Sequence, residues 1–290
     1  MTSKCKATWL IAGTLVICLV SLLLFTRRFS RTDLYGMNRA GKYADVNGVK
    51  MYYEIYGCGE NVIVIHGNND CIWDMRYQIR HFSSHYRVIA ADSRGHGKSE
   101  LGEGTLTYEQ MADDWAALLD LLKIDSTFVI GWSDGGIIGL LLAIHHPQKV
   151  KKLAAMGANL QPDTSAVHPW VVNWVKRQMQ GVESMIAMND TSKNWALMRQ
   201  QLQLLEKQPH ISLIDLHKIS SPVLILAGDS DVIREEHTVL IYQNIPQAQL
   251  CIFPGETHMA PVENPDLFNK VVHEFFIRPF HRPQMIDYFE

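Results

Sequence analysis

Short apolar runs, separated by stretches with helical spacing, constrain this chain more than any other feature. Residues 62–66 (VIVIH), Arg87–Ala91 (RVIAA), Thr127–Trp132 (TFVIGW) and 223–227 (VLILA) show almost no polar alternation. Runs of this kind suit strands buried on both faces, as in the middle of a parallel sheet. Parallel neighbours need crossover connections, and the intervening sequence can supply them. Residues 107–122 carry Met111, Trp115, Leu118, Leu119 and Leu122 at helical spacing, and residues 135–145, 237–245 and 267–276 read as further helices. Val150–Met156 and residues 249–253 read as additional strands. Upstream, Val49–Tyr56 (VKMYYEIY) follows an Asn47-Gly48 turn signal and reads as part of a β-hairpin. The alternation predicts an α/β fold with a mostly parallel sheet flanked by helices.

Between residues 161 and 218 the pattern changes. Helical stretches carry Trp170, Trp174, Met179, Met185, Trp195 and Met198, and no clear strand appears. A helical block between two halves of a sheet reads as a cap. The expected organisation is residues 1–42 as anchor and tether, 43–278 as one domain with its cap at about 161–218, and 279–290 as a tail.

The anchor expectation rests on residues 8–25, which contain no charge. Eighteen helical residues rise about 27 Å, close to the hydrocarbon thickness of a bilayer. Lys4 and Lys6 precede the stretch, Arg27, Arg28 and Arg31 follow it, and no small-x-small cleavage site ends it. An uncleaved single-pass membrane anchor is the favoured reading, with export after signal cleavage, into a periplasm or outside the cell, as the alternative. The flanking charges leave the orientation open.

Composition narrows the partners. The chain has 290 residues, 47% apolar and 20% charged, with a formal net charge of −3. That suits a globular core and gives no basic excess for nucleic acid. Zinc-ribbon, zinc-protease and phosphate-loop spacings are missing from the sequence, so neither a metal nor an organic cofactor is expected. Oligomeric state is not legible. Cys5, Cys18, Cys58, Cys71 and Cys251 are odd in number and widely spaced, which predicts free thiols rather than a disulfide framework.

Gly131-Trp132-Ser133-Asp134-Gly135 fits Gly-x-Ser-x-Gly. The pattern alone is weak, but here it ends a predicted buried strand and opens a predicted helix. A sharp strand-to-helix turn needs glycines, lifts the serine hydroxyl above the sheet and sets it beside the positive end of a helix dipole. A serine hydroxyl needs a base, and the base needs a group to fix its tautomer. His258 follows a predicted strand in PGETH, and Asp231 follows the preceding one in GDSD. Both therefore fall at strand C-termini, where open α/β sheets build their sites. Asp229 competes with Asp231 and reads otherwise as a turn residue. The run His66-Gly67-Asn68-Asn69 follows VIVIH directly, so the backbone N–H groups of Asn68 and Asp134 are the candidate oxyanion donors. His66 reads as a structural hydrogen bonder, and Arg94 and His96 as organisers of a glycine-containing loop.

From about Tyr43 to Phe276 the sequence resembles the α/β-hydrolase superfamily. The resemblance is carried by VNGVKMYYEIYG, VIVIHG, ADSRGHGKS, GWSDGG, the GDSD turn and PGETH. GWSDGG followed by a helix looks like the biphenyl-hydrolase-like branch, whose members cleave esters. The resemblance implies the α/β-hydrolase fold, a catalytic triad of Ser133, Asp231 and His258, and an oxyanion hole at Asn68 and Asp134. The expected activity is hydrolysis of a small-molecule carboxylic ester, amide or thioester through an acyl-enzyme. Acyl transfer and carbon–carbon bond hydrolysis are variants on the same triad, and a membrane-tethered, non-catalytic binding protein is the rival from another class. Serine at the elbow departs from the haloalkane dehalogenases and epoxide hydrolases of this fold, which use aspartate there, and disfavours those activities.

Overall fold

The computed structural model describes Gly36, residues 41–282 and residues 285–289. Eight strands form one sheet: β1 (Lys42–Val46), β2 (Val49–Tyr56), β3 (Asn61–Ile65), β4 (Arg87–Ala91), β5 (Thr127–Trp132), β6 (Val150–Met156), β7 (Val223–Ser230) and β8 (Ala248–Thr257). Their order is β1-β2-β4-β3-β5-β6-β7-β8. The pairs β1–β2 and β2–β4 are antiparallel, and every later pair is parallel. The expected mostly parallel α/β architecture is therefore the observed one. The β1–β2 hairpin turns on Asn47 and Gly48, at φ of 45° and 81°, which is the left-handed pair that a tight two-residue turn requires.

Strand alternation divides the core in two. Ile63 and Ile65 of β3 pack with Trp115, Leu118 and Leu119 of α2 (Tyr108–Leu121) and Ile137 and Leu141 of α3 (Asp134–His145). Val62 and Val64 point the other way, toward Ile79 and Phe82 of α1 (Arg76–Phe82) and, farther along that face, Phe268 and Val272 of α9 (Pro265–Ile277). All six residues of β5 are buried, as its continuous apolar run predicts. Helix α2 starts where Thr107 caps it, its side chain accepting from the Gln110 N–H at 3.1 Å.

Helices α4 (Pro169–Ala187), α5 (Trp195–Lys207) and α6 (Leu213–Leu216) lie between β6 and β7. Helices α4 and α5 pack on one another. Helices α7 (Glu235–Asn244) and α8 (Ala260–Glu263) complete the set named here. The short helix α1 and the 3₁₀ turn before it (Ile72–Met75) were not expected from the sequence. Cys58, Cys71 and Cys251 are free thiols; Cys5 and Cys18 lie outside the described residues.

The placement of the chain in a membrane by a single span requires correction. No helix among the described residues is long and apolar enough to cross a bilayer. The longest, α4, has 19 residues but carries Lys176, Arg177 and Glu183, so its apolar stripe is one-sided. The stretch that prompted the expectation, residues 8–25, lies outside the described residues.

Candidate active site

Ser133 stands between β5 and α3 with φ 57° and ψ −119°. A non-glycine residue at positive φ is costly and persists only where its surroundings enforce it. Here the Ser133 N–H donates to Met156 O at 2.8 Å, and Ser133 O accepts from the Gly136 and Ile137 N–H groups at 2.8 and 3.1 Å. The flanking glycines make room for the turn. A Cβ on Gly131 would lie 2.1 Å from Gly135 O, and one on Gly135 would lie 2.1 Å from Ile65 O. Strand β5 and helix α3 can approach this closely only without side chains there.

Strands β7 and β8 are neighbours, and Ser230 pairs in register with Thr257. The next residue on each strand is Asp231 and His258, so the sheet itself brings the two together. His258 Nδ1 lies 2.6 Å from Asp231 Oδ1. With Nδ1–H donating to the carboxylate, Nε2 is left as the acceptor. Asp231 is 4% exposed. Burial alone would raise its carboxyl pKa. The adjoining His258 and the N–H groups of Ile233 (3.1 Å) and Gly228 (3.3 Å) outweigh it, so the net direction is down. Asp229 instead sits at the irregularity between Gly228 and Ser230 near the end of β7, its carboxylate accepting from the Gly255 N–H at 2.8 Å.

Two more contacts fix the imidazole. The Trp132 indole N–H donates to His258 O at 2.8 Å. Gly157, at φ 61°, lies against the ring, and a Cβ there would come within 2.5 Å of His258 Cε1.

Asn68 and Asp134 face each other beside Ser133. The Asn68 side-chain amide donates to Asp134 Oδ2 at 2.9 Å and to Gln201 O at 3.0 Å. Among the described residues, neither the Asn68 nor the Asp134 backbone N–H finds an acceptor. Asp134 is buried, and burial pushes its carboxyl up to about 6 against the opposing effects of Asn68 and Tyr108. The hydroxyl of Tyr108, itself fully buried, is close enough to Asp134 to act on it yet makes no hydrogen bond of ordinary geometry. Half-buried Asp70 is pushed up to about 7, by burial first and then by Asp74 and Asp134.

A cavity of about 440 Å³ opens over these groups. Ser133, His258, Asn68, Asp70 and Asp134 line its polar end, and Trp170, Trp174, Val175, Leu205, Val232 and Ile233 line its apolar walls. The Ser133 hydroxyl makes no hydrogen bond among the described residues. Four of the five residues singled out from the sequence, Ser133, His258, Asn68 and Asp134, therefore line one cavity, and the fifth, Asp231, lies buried behind His258. Sequence reasoning missed Asp70, Tyr108 and Gln201. Asp70 had a signal, since it ends the same His66–Asp70 run as Asn68. Gln201 had none, because it reaches the site through its backbone carbonyl.

The remaining polar residues support the loops. His66 is buried; its Nδ1 pairs with Gly67 O at 2.8 Å and its Nε2 accepts from the Ser93 N–H at 3.0 Å. Burial lowers it to about 4, so it stays neutral. Arg94 makes a two-pronged contact with buried Asp114, at 2.6 and 2.7 Å, and His96 pairs with Arg94 O at 2.9 Å.

A family model described as the alpha/beta hydrolase fold matches residues 60–187. The human protein named serine hydrolase BPHL is 25% identical over 258 residues, covering 83% of this chain and 88% of that protein. The 3-oxoadipate enol-lactonase 2 of Acinetobacter baylyi is 27% identical over 252 residues, covering 77% and 92%. The solved enol-lactonase from Burkholderia xenovorans LB400 superposes with a TM-score of 0.67 at 23% identity, over 82% of this chain and all of that one, which is a likeness of fold. With the sheet order, the serine turn and these similarities together, the chain belongs to the α/β-hydrolase superfamily.

Proposed function

We propose that this chain hydrolyses carboxylic esters through an acyl-enzyme on Ser133, with His258 as base and Asp231 as its orienting partner. The observation that carries the reading is that His258, paired with Asp231 at 2.6 Å, lines the same cavity as a serine held at φ 57°. A serine has no reason to bear that backbone cost in a purely structural turn.

In the first half-reaction Ser133 Oγ bonds to the ester carbonyl carbon as its proton passes to His258 Nε2. The carbonyl oxygen becomes an oxyanion between the Asn68 and Asp134 N–H groups. The C–O bond to the alcohol then breaks, and the alcohol leaves with the proton from His258. Water repeats the sequence on the acyl-serine, releasing the acid and restoring the hydroxyl. Asp231 stays ionised and holds the tautomer. Hydrogen bonds between nucleophile and base are often loose in unliganded sites and tighten with substrate bound, so the free Ser133 hydroxyl fits this scheme.

The same reading takes residues 43–278 as the hydrolase domain, 161–218 as its cap and 279–290 as a tail. Support for the ester comes from the apolar cavity walls and from relatives named as a serine hydrolase and an enol-lactonase, a lactone being a cyclic ester. The test is stopped-flow hydrolysis of p-nitrophenyl butyrate. The wild type should show a burst approaching one nitrophenol per chain and then steady turnover, and Ser133→Ala should show neither. Turnover retained in Ser133→Ala would reject Ser133 as the nucleophile.

A further inference from the structure

The side chain of Asn68 joins three separate segments of the chain. It belongs to the loop after β3, and its two amide hydrogens go to the first residue of α3 (Asp134 Oδ2, 2.9 Å) and to the middle of α5 (Gln201 O, 3.0 Å). Gln201 is buried, and its own side-chain amide donates to Gly95 O at 2.9 Å, seating α5 on the loop after β4. A second clamp from the same helix lies elsewhere, where Gln200 Oε1 accepts from the Leu106 N–H at 3.0 Å.

The loop that carries Asn68 is weakly closed by its own backbone. Its turn bond, Asp70 N–H to Gly67 O, is long at 3.4 Å, and Asn69 sits at φ 58°. Gly67 lies against the nucleophile, since a Cβ on it would come within 3.3 Å of Ser133 Cβ. A loop with little backbone closure takes its register from side chains: His66 holds its start through Gly67 O and the Ser93 N–H, and the Asn68 amide ties its next residue to α3 and α5.

We infer that the Asn68 side chain is a positioning group that sets its own backbone N–H against Ser133 only while α5 is seated over the cavity. Cap seating and oxyanion binding are then one event. This inference rests on the reading of Ser133 as nucleophile and of the Asn68 N–H as an oxyanion donor. Displacing a group by about 1 Å at a reacting centre can cost about 100-fold in rate, so a small lift of α5 is enough to switch turnover.

Asn68→Ala keeps the backbone N–H and deletes both bonds. It should lower kcat for p-nitrophenyl butyrate by about ten-fold or more, the worth of one hydrogen bond to a charged group, with KM within about three-fold. Amide hydrogen exchange across residues 195–207 should quicken in the same variant. Asn68→Asp keeps the size of the side chain, replaces the donors with a carboxylate, and should lose at least as much. Gln200→Ala removes the other clamp of α5 but leaves the Asn68 bonds, so it should lower kcat less than Asn68→Ala does. Wild-type kcat in a folded Asn68→Ala or Asn68→Asp protein overturns the inference. So does a lowered kcat without faster exchange in 195–207, or an equal loss in Gln200→Ala. If the wild type itself shows no serine-dependent turnover, the esterase reading fails first and separately.

Discussion

Asp231 is a buried carboxylate that stays ionised because its partners are all donors: the imidazole of His258 and the N–H groups of Ile233 and Gly228. Replacing it with Asn leaves the shape but offers an amide hydrogen to Nδ1, which favours the wrong tautomer. Asp231→Asn should therefore lower kcat by about 10³–10⁴, as read from steady-state ester hydrolysis. Asp70 behaves in the opposite sense. Its folded-state pKa of about 7 lies above the ordinary 3.8, so the native state holds an extra proton between those values. Stability from this group is present below about pH 4 and is lost as pH rises through about 7. Asp134 follows the same sign, with its loss complete just above its value of about 6. Asp70→Asn removes the dependence, so melting curves should show the variant gaining on the wild type from about pH 4 to about pH 8. A constant difference across that range would contradict the placement of Asp70 in a desolvated, acidic setting.

At the level of elements, the site is a product of strand ends and one strained turn. Gly135→Ala would put a methyl group 2.1 Å from Ile65 O, between two backbones that cannot yield. Loss of several kcal/mol in denaturant unfolding is expected, beyond the usual range for a surface change. Arg94→Met should cost about 3–5 kcal/mol, because it takes the cation from the Asp114 carboxylate, which is 1% exposed and, among the described residues, keeps only the Asn47 amide at 3.0 Å. Most of these elements were legible. The continuous runs at β3, β4, β5 and β7 read as buried strands, and GWSDGG read as a turn once β5 and α3 flanked it. Strands β7 and β8 run farther than their apolar cores, to Ser230 and Thr257, because pairing with each other continues past the hydrophobic residues. Helix α1 was hidden because its seven residues, RYQIRHF, give too few turns for a period to show.

Across the whole molecule, the sheet supplies the polar floor of the cavity, and α4 and α5 supply much of its apolar wall. Trp170 and Trp174 line that wall while remaining 60% and 42% exposed, so they are open to a ligand rather than packed away. If they hold the acyl chain, Trp174→Ala should raise KM for p-nitrophenyl octanoate more than for the acetate, since each buried methylene is worth about 0.8 kcal/mol. An equal change for both would place Trp174 outside the acyl path. The sequence could not show this wall, because tryptophans at helical spacing look the same whether they pack or line a pocket. The reach of Gln201 O to Asn68 was invisible for a related reason: a backbone carbonyl has no sequence signature. The apolar stretch at residues 8–25 led to the one expectation that had to be withdrawn, because no helix among the described residues is long and apolar enough to cross a bilayer.

The central claim is that Ser133 is an activated nucleophile. Intact-mass spectrometry after treatment with a fluorophosphonate tests it most directly. The account predicts one phosphonyl adduct per chain, mapped to the peptide containing Ser133, absent in Ser133→Ala and strongly slowed in Asp231→Asn. A folded wild-type protein that gains no adduct, or one that carries it on another residue, would contradict it.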